Sequence, residues 1–396
     1  MLTSLALIFL IGIALGSVFK KLRLPSLIGM LITGIVLGPY MLNLIDGSIL
    51  GISAELRQIA LIIILTRAGL SLDLKDLIKV GRPAILMCFV PACFEIGGLM
   101  LLAPRLLGVS LLDAAVMGSV VAAVSPAVVV PGMIKLMEKG YGTNKSIPQL
   151  IMAGASVDDV FVIVLFTSFT ALSMGRGVSL DWAAFAQIPV SILLGIVIGG
   201  LCGFLLSVFF RKIHMRDSVK VIILLCLSFL LVSVEKRAQG VIPFSGLLAV
   251  MATAIALLKF YPVLADRISV KFSKLWVAAE ILLFVIVGAT VDIIFALSAG
   301  FMVVALVLLA LLFRMTGVFL SLLKTQLNTK ERLFCMIAYI PKATVQAAIG
   351  GLPLAMGLSC GPIVLTVAVV SILITAPLGA LGVDLTYKKL LSKQGG

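Results

Sequence analysis

Two aspartates stand side by side in the middle of an apolar stretch of the sequence. Asp158 and Asp159 lie in the run "IPQLIMAGASVDDVFVIVLFTSF". Because successive residues of a helix point about 100° apart, one carboxylate can face a cavity while the other faces a neighbouring helix. Burial and mutual repulsion disfavour two bare charges, so protons or hard cations must neutralise them. Since hard cations prefer oxygen ligands, the pair predicts a site where protons compete with a small alkali cation.

Three more polar residues are candidates for the same site. The hydroxyls of Ser125 and Thr344, together with free backbone carbonyls, can supply further oxygen ligands. Lys342 can neutralise one aspartate when no cation is bound, and it can carry a transported proton, because a buried lysine loses its proton readily. The alternative for Lys342 is a plain charge that anchors a helix break.

Four other charged residues also fall inside apolar segments. These are Glu95, Arg314, Arg67 and Glu280. Charges at membrane depth are costly unless they are paired or hydrated. We expect Glu95 to pair with Arg314, and Arg67 with Glu280, either directly or through water, or all four to form one network. A structural role is favoured for these residues, because such pairs would hold the helices in place while the aspartates titrate.

The composition excludes a soluble enzyme. Of the 396 residues, 62% are hydrophobic and only 12% are charged, against about 45–50% and about 25% in soluble domains. The net charge of +14 does not indicate nucleic-acid binding, because so apolar a chain leaves no solvated surface for a basic patch. No CxxC pair occurs and the single histidine, His214, lies in a basic loop, so no cofactor, haem or transition-metal site is expected.

The chain contains thirteen apolar segments long enough to cross a membrane, for which about 20 residues are needed. Little sequence remains for an extramembrane domain, so the chain is predicted to be one all-α, polytopic transmembrane domain. The segments run approximately over 3–19, 25–44, 56–72, 83–103, 110–134, 147–174, 184–210, 218–234, 241–258, 274–291, 297–323, 331–356 and 360–382.

The basic residues alternate between the two sides of these segments. With the N-terminus outside, 23 of the 31 Lys and Arg residues fall in the odd-numbered loops and the C-terminal tail, and only 5 fall in the even-numbered loops. Cytoplasmic loops carry the excess of Lys and Arg. The bias therefore predicts an N-terminus outside, a C-terminus in the cytoplasm and a location in the plasma (cell inner) membrane.

The thirteen segments predict two inverted repeats of six helices, over about 1–175 and 218–388, joined by a linker helix at about 184–210. The fifth and twelfth segments are both interrupted, by "AAVSPAVVVPG" with Pro126 and Pro131, and by "YIPKATVQAAIGGLP" with Pro341. Proline removes a backbone hydrogen bond and frees carbonyls. Two interrupted helices at corresponding places in two halves indicate an ion site at the membrane midplane.

Four motifs resemble signatures of the monovalent cation/proton antiporter-2 family, and within it of the NHA-type sodium/proton antiporters. They are "IIILTRAGLSLD" (62–73), "GSVVAAVSPAVVVPGM" (118–133), "GASVDDVFVI" (154–163) and "AYIPKATVQAAIG" (338–350), in the family's order and at compatible spacing. The resemblance spans nearly the whole chain.

The resemblance implies an NhaA-like antiporter fold with crossed broken helices, a dimer domain and a mobile core domain. It implies that Asp159 is the main cation- and proton-binding carboxylate. It also implies that a salt bridge between Asp158 and Lys342 breaks when the cation binds, that Glu95 and Arg314 form a stabilising or pH-sensitive pair, and that the protein is a homodimer in the lipid bilayer. Two acids with a lysine resemble the electrogenic members, which exchange more than one proton per cation. Some NHA-type members are electroneutral, so the resemblance leaves the stoichiometry open.

A secondary antiporter that exchanges Na⁺ or Li⁺ for H⁺ by alternating access is the leading hypothesis. A K⁺/H⁺ antiporter is the nearest alternative. An intramembrane aspartyl protease is disfavoured, because its two aspartates lie on separate helices. A cation channel is disfavoured too, because it needs neither a mutually perturbed carboxylate pair nor an inverted repeat.

Overall fold

The protein is all-helical in the computed structural model, which describes residues 1–71, 81–174, 182–238 and 244–393. An isolated β-bridge between Tyr141 and Lys393 is the one exception in these ranges. Residue 72 of the predicted segment 56–72 and residues 241–243 of the predicted segment 241–258 lie outside the described residues. The predicted repeat boundary at 175 lies outside them too.

Eighteen α-helices make up the described part of the chain. In chain order they are α1 (Leu2–Lys21), α2 (Ser26–Leu37), α3 (Gly47–Gly51), α4 (Ser53–Leu70), α5 (Arg82–Met87), α6 (Val90–Leu107), α7 (Leu111–Val121), α8 (Pro126–Glu138), α9 (Ile147–Ser173), α10 (Trp182–Lys212), α11 (Asp217–Ala238), α12 (Gly246–Phe260), α13 (Pro262–Ala289), α14 (Ile293–Ser321), α15 (Thr329–Ala338), α16 (Thr344–Ile349), α17 (Leu352–Ala355) and α18 (Gly361–Leu390).

Most of these helices have the length and composition of membrane spans. Within the described residues, nine helical stretches are long and apolar enough to cross a membrane, and three shorter apolar helices accompany them. A helix satisfies its backbone hydrogen bonds internally, as an apolar chain in lipid must. The protein is therefore an integral membrane protein, as its composition predicted.

Both predicted interruptions are present as breaks between helices. Residues 122–125 separate α7 from α8, and residues 339–343 separate α15 from α16. Pro126 is the first residue of α8, a position where proline costs no hydrogen bond. Pro341 lies within the second break. Pro131, in contrast, does not break its helix: α8 continues through it to Glu138, because losing one N–H is tolerated where the other turns of the helix remain bonded.

The chain divides into two compact units. Unit 1 comprises Met1–Arg57, Asp73–Val162 and Ile281–Gly396. Within it, α2 and α13 pack backbone to backbone: a Cβ on Gly34 would overlap the Val285 carbonyl, and a Cβ on Gly288 would overlap the Leu31 carbonyl. In lipid such close approach of small residues drives helix association.

Unit 2 comprises Gln58–Leu72 and Ile163–Glu280. Its central contact is between α10 and α12. Three glycines four residues apart on α10, namely Gly195, Gly199 and Gly203, contact the backbone of α12, and Thr253 donates a hydrogen bond to the Gly199 carbonyl (3.1 Å). The four-residue spacing places these glycines on one face of the helix.

The loop between α8 and α9 is held at one end of unit 1. Lys145 forms an ion pair with the buried Glu331 at the start of α15 (2.8 Å). The Gly142 amide donates to the Ser392 carbonyl (2.9 Å). The rings of Tyr141 and Tyr387 stack edge to face with centroids 5.0 Å apart. These contacts fix the beginning of α9, the helix that carries the two aspartates.

We predict that Gly34→Ala lowers the melting temperature by several degrees, because the new Cβ forces α2 away from α13. Thermal unfolding in detergent measures the effect. Gly97→Ala, on the exposed side of α6 with nothing within 4 Å of the new Cβ, is the matched control. It should leave the melting temperature unchanged or raise it, since alanine favours a helix by about 1 kcal/mol over glycine. Equal melting temperatures for the two variants would contradict the proposed packing.

Candidate functional site

Five ionisable side chains converge in the interior of unit 1. Asp158 and Asp159 come from α9, Glu95 from α6, Arg314 from α14 and Lys342 from the break before α16. Their exposed fractions are 0% for Glu95, Asp158 and Lys342, 1% for Arg314 and 8% for Asp159. Charges buried to this degree are costly unless they are paired, so the pairing decides what the site can do.

Arg314 lies at the centre of the cluster. Its Nη2 pairs with Asp158 Oδ2 and its Nη1 with Glu95 Oε2, each at 2.9 Å. Nε donates to the Tyr339 carbonyl at 2.8 Å, and Nη1 also donates to the Ala122 carbonyl. The expected Glu95–Arg314 pair is therefore present. The planar guanidinium bridges two carboxylates in a way that a lysine cannot.

Lys342 pairs with Glu95. Its Nζ lies 2.7 Å from Glu95 Oε1 and 2.8 Å from Oε2, and it donates to the Val121 carbonyl at 2.7 Å. This differs from the expected Lys342–Asp158 salt bridge. Glu95 therefore pairs with both Lys342 and Arg314, whereas Asp158 pairs with Arg314 alone.

The two aspartates have different surroundings. Asp158 Oδ2 accepts hydrogen bonds from Arg314 and from the Val124 amide (2.8 Å), while its Oδ1 has no partner. Among the residues that the structure describes, none forms an ion pair with Asp159 at 4.0 Å or less. The Asp159 Oδ1 also has no hydrogen-bond partner. With all five groups ionised, three anions face two cations. One negative charge is left without compensation, and Asp159 is the carboxylate that lacks a counterion.

The two helix breaks meet beside this cluster. The Ser125 amide donates to the Pro341 carbonyl (2.8 Å), and the hydroxyls of Ser125 and Thr344 lie 3.4 Å apart. Both hydroxyls are buried. The structure thus brings together the two residues that the sequence offered as additional oxygen ligands.

The backbone of the first break is bonded to side chains and to the second break. Arg314, Lys342 and Gln346 donate to the carbonyls of residues 121–123, the Val124 amide donates to Asp158, and the Ser125 amide donates to Pro341. Irregular backbone is tolerated inside a membrane protein only when its polar groups are satisfied in this way. The charged residues of the site therefore also stabilise the non-helical backbone of the break.

Two residues of the site were missed by the sequence analysis. The Tyr339 ring lies under the Arg314 guanidinium, 5.4 Å from its centroid, and the Tyr339 hydroxyl packs against Gly154, one turn before Asp158 on α9. Gln346 is fully buried and donates to two carbonyls of the break. Gln346 could have been identified from the sequence, because a buried amide in the apolar run "ATVQAAIG" requires hydrogen-bond partners.

Arg67 and Glu280 both belong to unit 2. No ion pair within 4.0 Å joins Arg67 to Glu280, so a direct contact is not formed, although the charge of Arg67 acts on Glu280 from a greater distance. Both side chains are partly buried.

The transmembrane domain of sodium/hydrogen exchangers matches this chain over residues 5–389. The chain belongs to the sodium/hydrogen exchanger family. Members of this family are membrane transporters and not enzymes. Sodium/hydrogen exchanger 9B2 of Mus musculus is 34% identical over 414 residues, which cover 99% of this chain and 74% of the relative. Sodium/hydrogen exchanger 9B1 of Homo sapiens is 31% identical over 99% of this chain and 78% of its own length.

The fold of this exchanger-family chain is shared with a solved archaeal structure. The sodium proton antiporter MjNhaP1 from Methanocaldococcus jannaschii superposes with a TM-score of 0.83, covering 98% of this chain and 97% of the archaeal chain at 19% identity. The two proteins therefore share an antiporter fold, although few of their residues are the same.

We predict that Arg314→Gln lowers the stability of this exchanger by about 3–5 kcal/mol, because it leaves two buried carboxylates without their shared cation. Thermal unfolding in detergent measures the loss. The control is Arg267→Gln, which removes an ion pair to Asp217 in which both side chains are partly exposed and should cost at most about 1 kcal/mol. If both variants unfold at the same temperature, Arg314 does not hold the cluster together.

Proposed function

We propose that the protein exchanges Na⁺ or Li⁺ for H⁺, with Asp159 as the carboxylate that binds one or the other. The observation that carries this proposal is the one uncompensated negative charge of the buried cluster, located at Asp159. An unpaired carboxylate in an apolar interior must be neutralised, and one proton or one monovalent cation neutralises it equally well. Membership in the sodium/hydrogen exchanger family supports the same exchange.

The neighbouring groups have separate roles in this proposal. Asp158 Oδ1 is an acceptor without a donor and is the second carboxylate ligand. The hydroxyls of Ser125 and Thr344 replace part of the cation's hydration shell. Arg314 and Lys342 neutralise Asp158 and Glu95 throughout the cycle, so the site contains one exchangeable charge and not three. Competition at Asp159 makes exchange depend on pH, since protons displace the cation as pH falls.

The architecture that we propose around this site is the thirteen-span NhaA-like arrangement of the NHA-type antiporters in the monovalent cation/proton antiporter-2 family. The two broken helices, α7–α8 and α15–α16, are the corresponding helices of two inverted repeats. The 23 to 5 bias of basic residues supports an N-terminus outside and a C-terminus in the cytoplasm of the plasma (cell inner) membrane. Alternating access and a homodimer complete the proposal.

We predict that Asp159→Asn abolishes exchange while the melting temperature is kept. The asparagine has no negative charge for H⁺ or Na⁺ to neutralise, and its neutral side chain breaks no ion pair. Proteoliposomes with an internal pH dye measure the pH change when Na⁺, Li⁺ or K⁺ is added outside. Asp384→Asn, which breaks an exposed ion pair to Lys135, is the control and should exchange normally. Near-normal Na⁺-driven signals from Asp159→Asn would refute the site, and a response of the unaltered protein to K⁺ in place of Na⁺ would refute the sodium assignment.

We also predict that an imposed membrane potential leaves the exchange rate unchanged. The empty cluster carries one negative charge, and one Na⁺ or one H⁺ brings it to zero, so neither half of the cycle moves net charge. The test compares rates in proteoliposomes clamped at zero potential and at about 100 mV, where each moved charge is worth about 2.3 kcal/mol. A rate that changes severalfold with potential would mean that a second proton is carried, with Lys342 as the group that releases it.

A further inference from the structure

The amide of Gln346 has one fixed orientation in the interior of unit 1. Gln346 is fully buried on α16, and its Nε2 donates to the Val121 carbonyl at 3.0 Å and to the Ala123 carbonyl at 2.9 Å. Because both neighbours are acceptors, only the nitrogen of the amide can face them. Its Oε1 consequently points away from them and has no partner.

One of these two carbonyls belongs to the peptide unit that binds an aspartate. The Ala123 carbonyl accepts from Gln346, and the amide of the same peptide, the Val124 N–H, donates to Asp158 Oδ2 at 2.8 Å. The peptide unit is planar and rigid, so a displacement of its carbonyl end moves its N–H end as well. Donation to the carbonyl also polarises the peptide and strengthens the bond that its N–H makes.

The Asp158 carboxylate is oriented by the donors on one of its oxygens. Oδ2 accepts from Val124 N and from Arg314 Nη2, two donors on different structural elements. Together they fix the rotation of the carboxylate and hence the direction of Oδ1, which has no donor. Loss of either donor frees the carboxylate to rotate.

We propose that Gln346 is a positioning residue for Asp158, acting through the peptide between Ala123 and Val124 and so setting where Asp158 Oδ1 is presented to the cation. The inference rests on the proposed function of Asp158 and Asp159 as the ion site. It assigns to Gln346 no contact with the cation and no part in proton transfer.

A purely structural role for Gln346 makes a different prediction. Lys342 also donates to the Val121 carbonyl, so that carbonyl keeps a donor when Gln346 is replaced, and the loss falls on the Ala123 carbonyl. If Gln346 only ties α16 to the first break, its replacement lowers stability and leaves the cation affinity of folded protein unchanged. If it positions Asp158, the apparent KM for the cation rises in protein that is still folded.

Gln346→Leu in proteoliposomes separates these roles. We expect its apparent KM for Na⁺ and for Li⁺ to rise about tenfold, with the maximal rate changed less than twofold. Thr366→Val is the matched control, because it removes a buried polar group that bonds within its own helix α18 (2.9 Å to the Pro362 carbonyl); its KM should stay that of the unaltered protein. An unchanged KM in Gln346→Leu, with or without a lower melting temperature, overturns the proposal.

Gln346→Glu tests the hydrogen bond itself and keeps the proposal falsifiable if Gln346→Leu does not fold. A neutral carboxylic acid can donate to the Ala123 carbonyl, whereas an ionised carboxylate cannot. The charged groups around this part of the fold are Lys342 on the same segment, Glu95, Arg314, Asp158 and Asp159, and also the buried Arg57, whose guanidinium lies against Gly351 just after α16. We expect the ratio of the variant's KM to that of the unaltered protein to be near one at low pH and to increase as pH rises. A ratio that does not vary with pH overturns the proposal.

Asp159→Asn distinguishes failure of this inference from failure of the proposed function. If Asp159→Asn loses exchange while both Gln346 variants keep the KM of the unaltered protein, the ion site stands and the role of Gln346 is refuted. If Asp159→Asn exchanges normally, the ion site itself is refuted and the inference falls with it.

Discussion

The site depends on one constraint: every polar backbone group of an interrupted helix must find a partner inside the protein. Lipid offers none, and an unsatisfied group costs several kcal/mol. At the first break the carbonyls of residues 121–123 are bonded to Lys342, Arg314 and Gln346, and the Val124 amide to Asp158. Long polar side chains are therefore required at this place even before any transported ion is considered.

This requirement joins the stability of the break to its function. Arg314 bonds two backbone carbonyls and two carboxylates at once. A movement of its side chain therefore changes both its ion pairs and its bonds to the backbone. Lys342 is bound in the same double way to Glu95 and to the Val121 carbonyl. Because Arg314 and Lys342 are both paired, Asp159 is the carboxylate of this cluster without an ion pair, and in the proposed exchange its charge changes without breaking one. An exchanger needs such a group, because it must accept and release ions many times while its helices stay assembled.

Much of the site could be predicted from local sequence. A charge inside an apolar segment is visible without a structure, and Asp158, Asp159, Glu95, Arg314 and Lys342 were found in this way. Pro126 and Pro341 marked the two breaks for the same local reason. Pro131 was predicted wrongly, because whether a proline interrupts its helix depends on the residues around it. Direct contact between Arg67 and Glu280 is absent as well, because contact depends on which residues the packing brings together. Gln346 was overlooked because a neutral amide does not stand out as a charge does.

The sequence by itself determined that this is a helical membrane protein with two adjacent carboxylates at membrane depth, because composition, hydrophobic length and the cost of buried charge are properties of short segments. Only the tertiary structure decided which charges meet. Arg314 lies 219 residues from Glu95, and Lys342 lies 247 residues from it. Opposite charges attract regardless of their position in the chain, so the sequence alone is compatible with many pairings. The packing of α6, α9 and α14 around the break allows one of them, in which Arg314 pairs with Asp158 and Glu95, and Asp159 forms no ion pair with any residue that the structure describes.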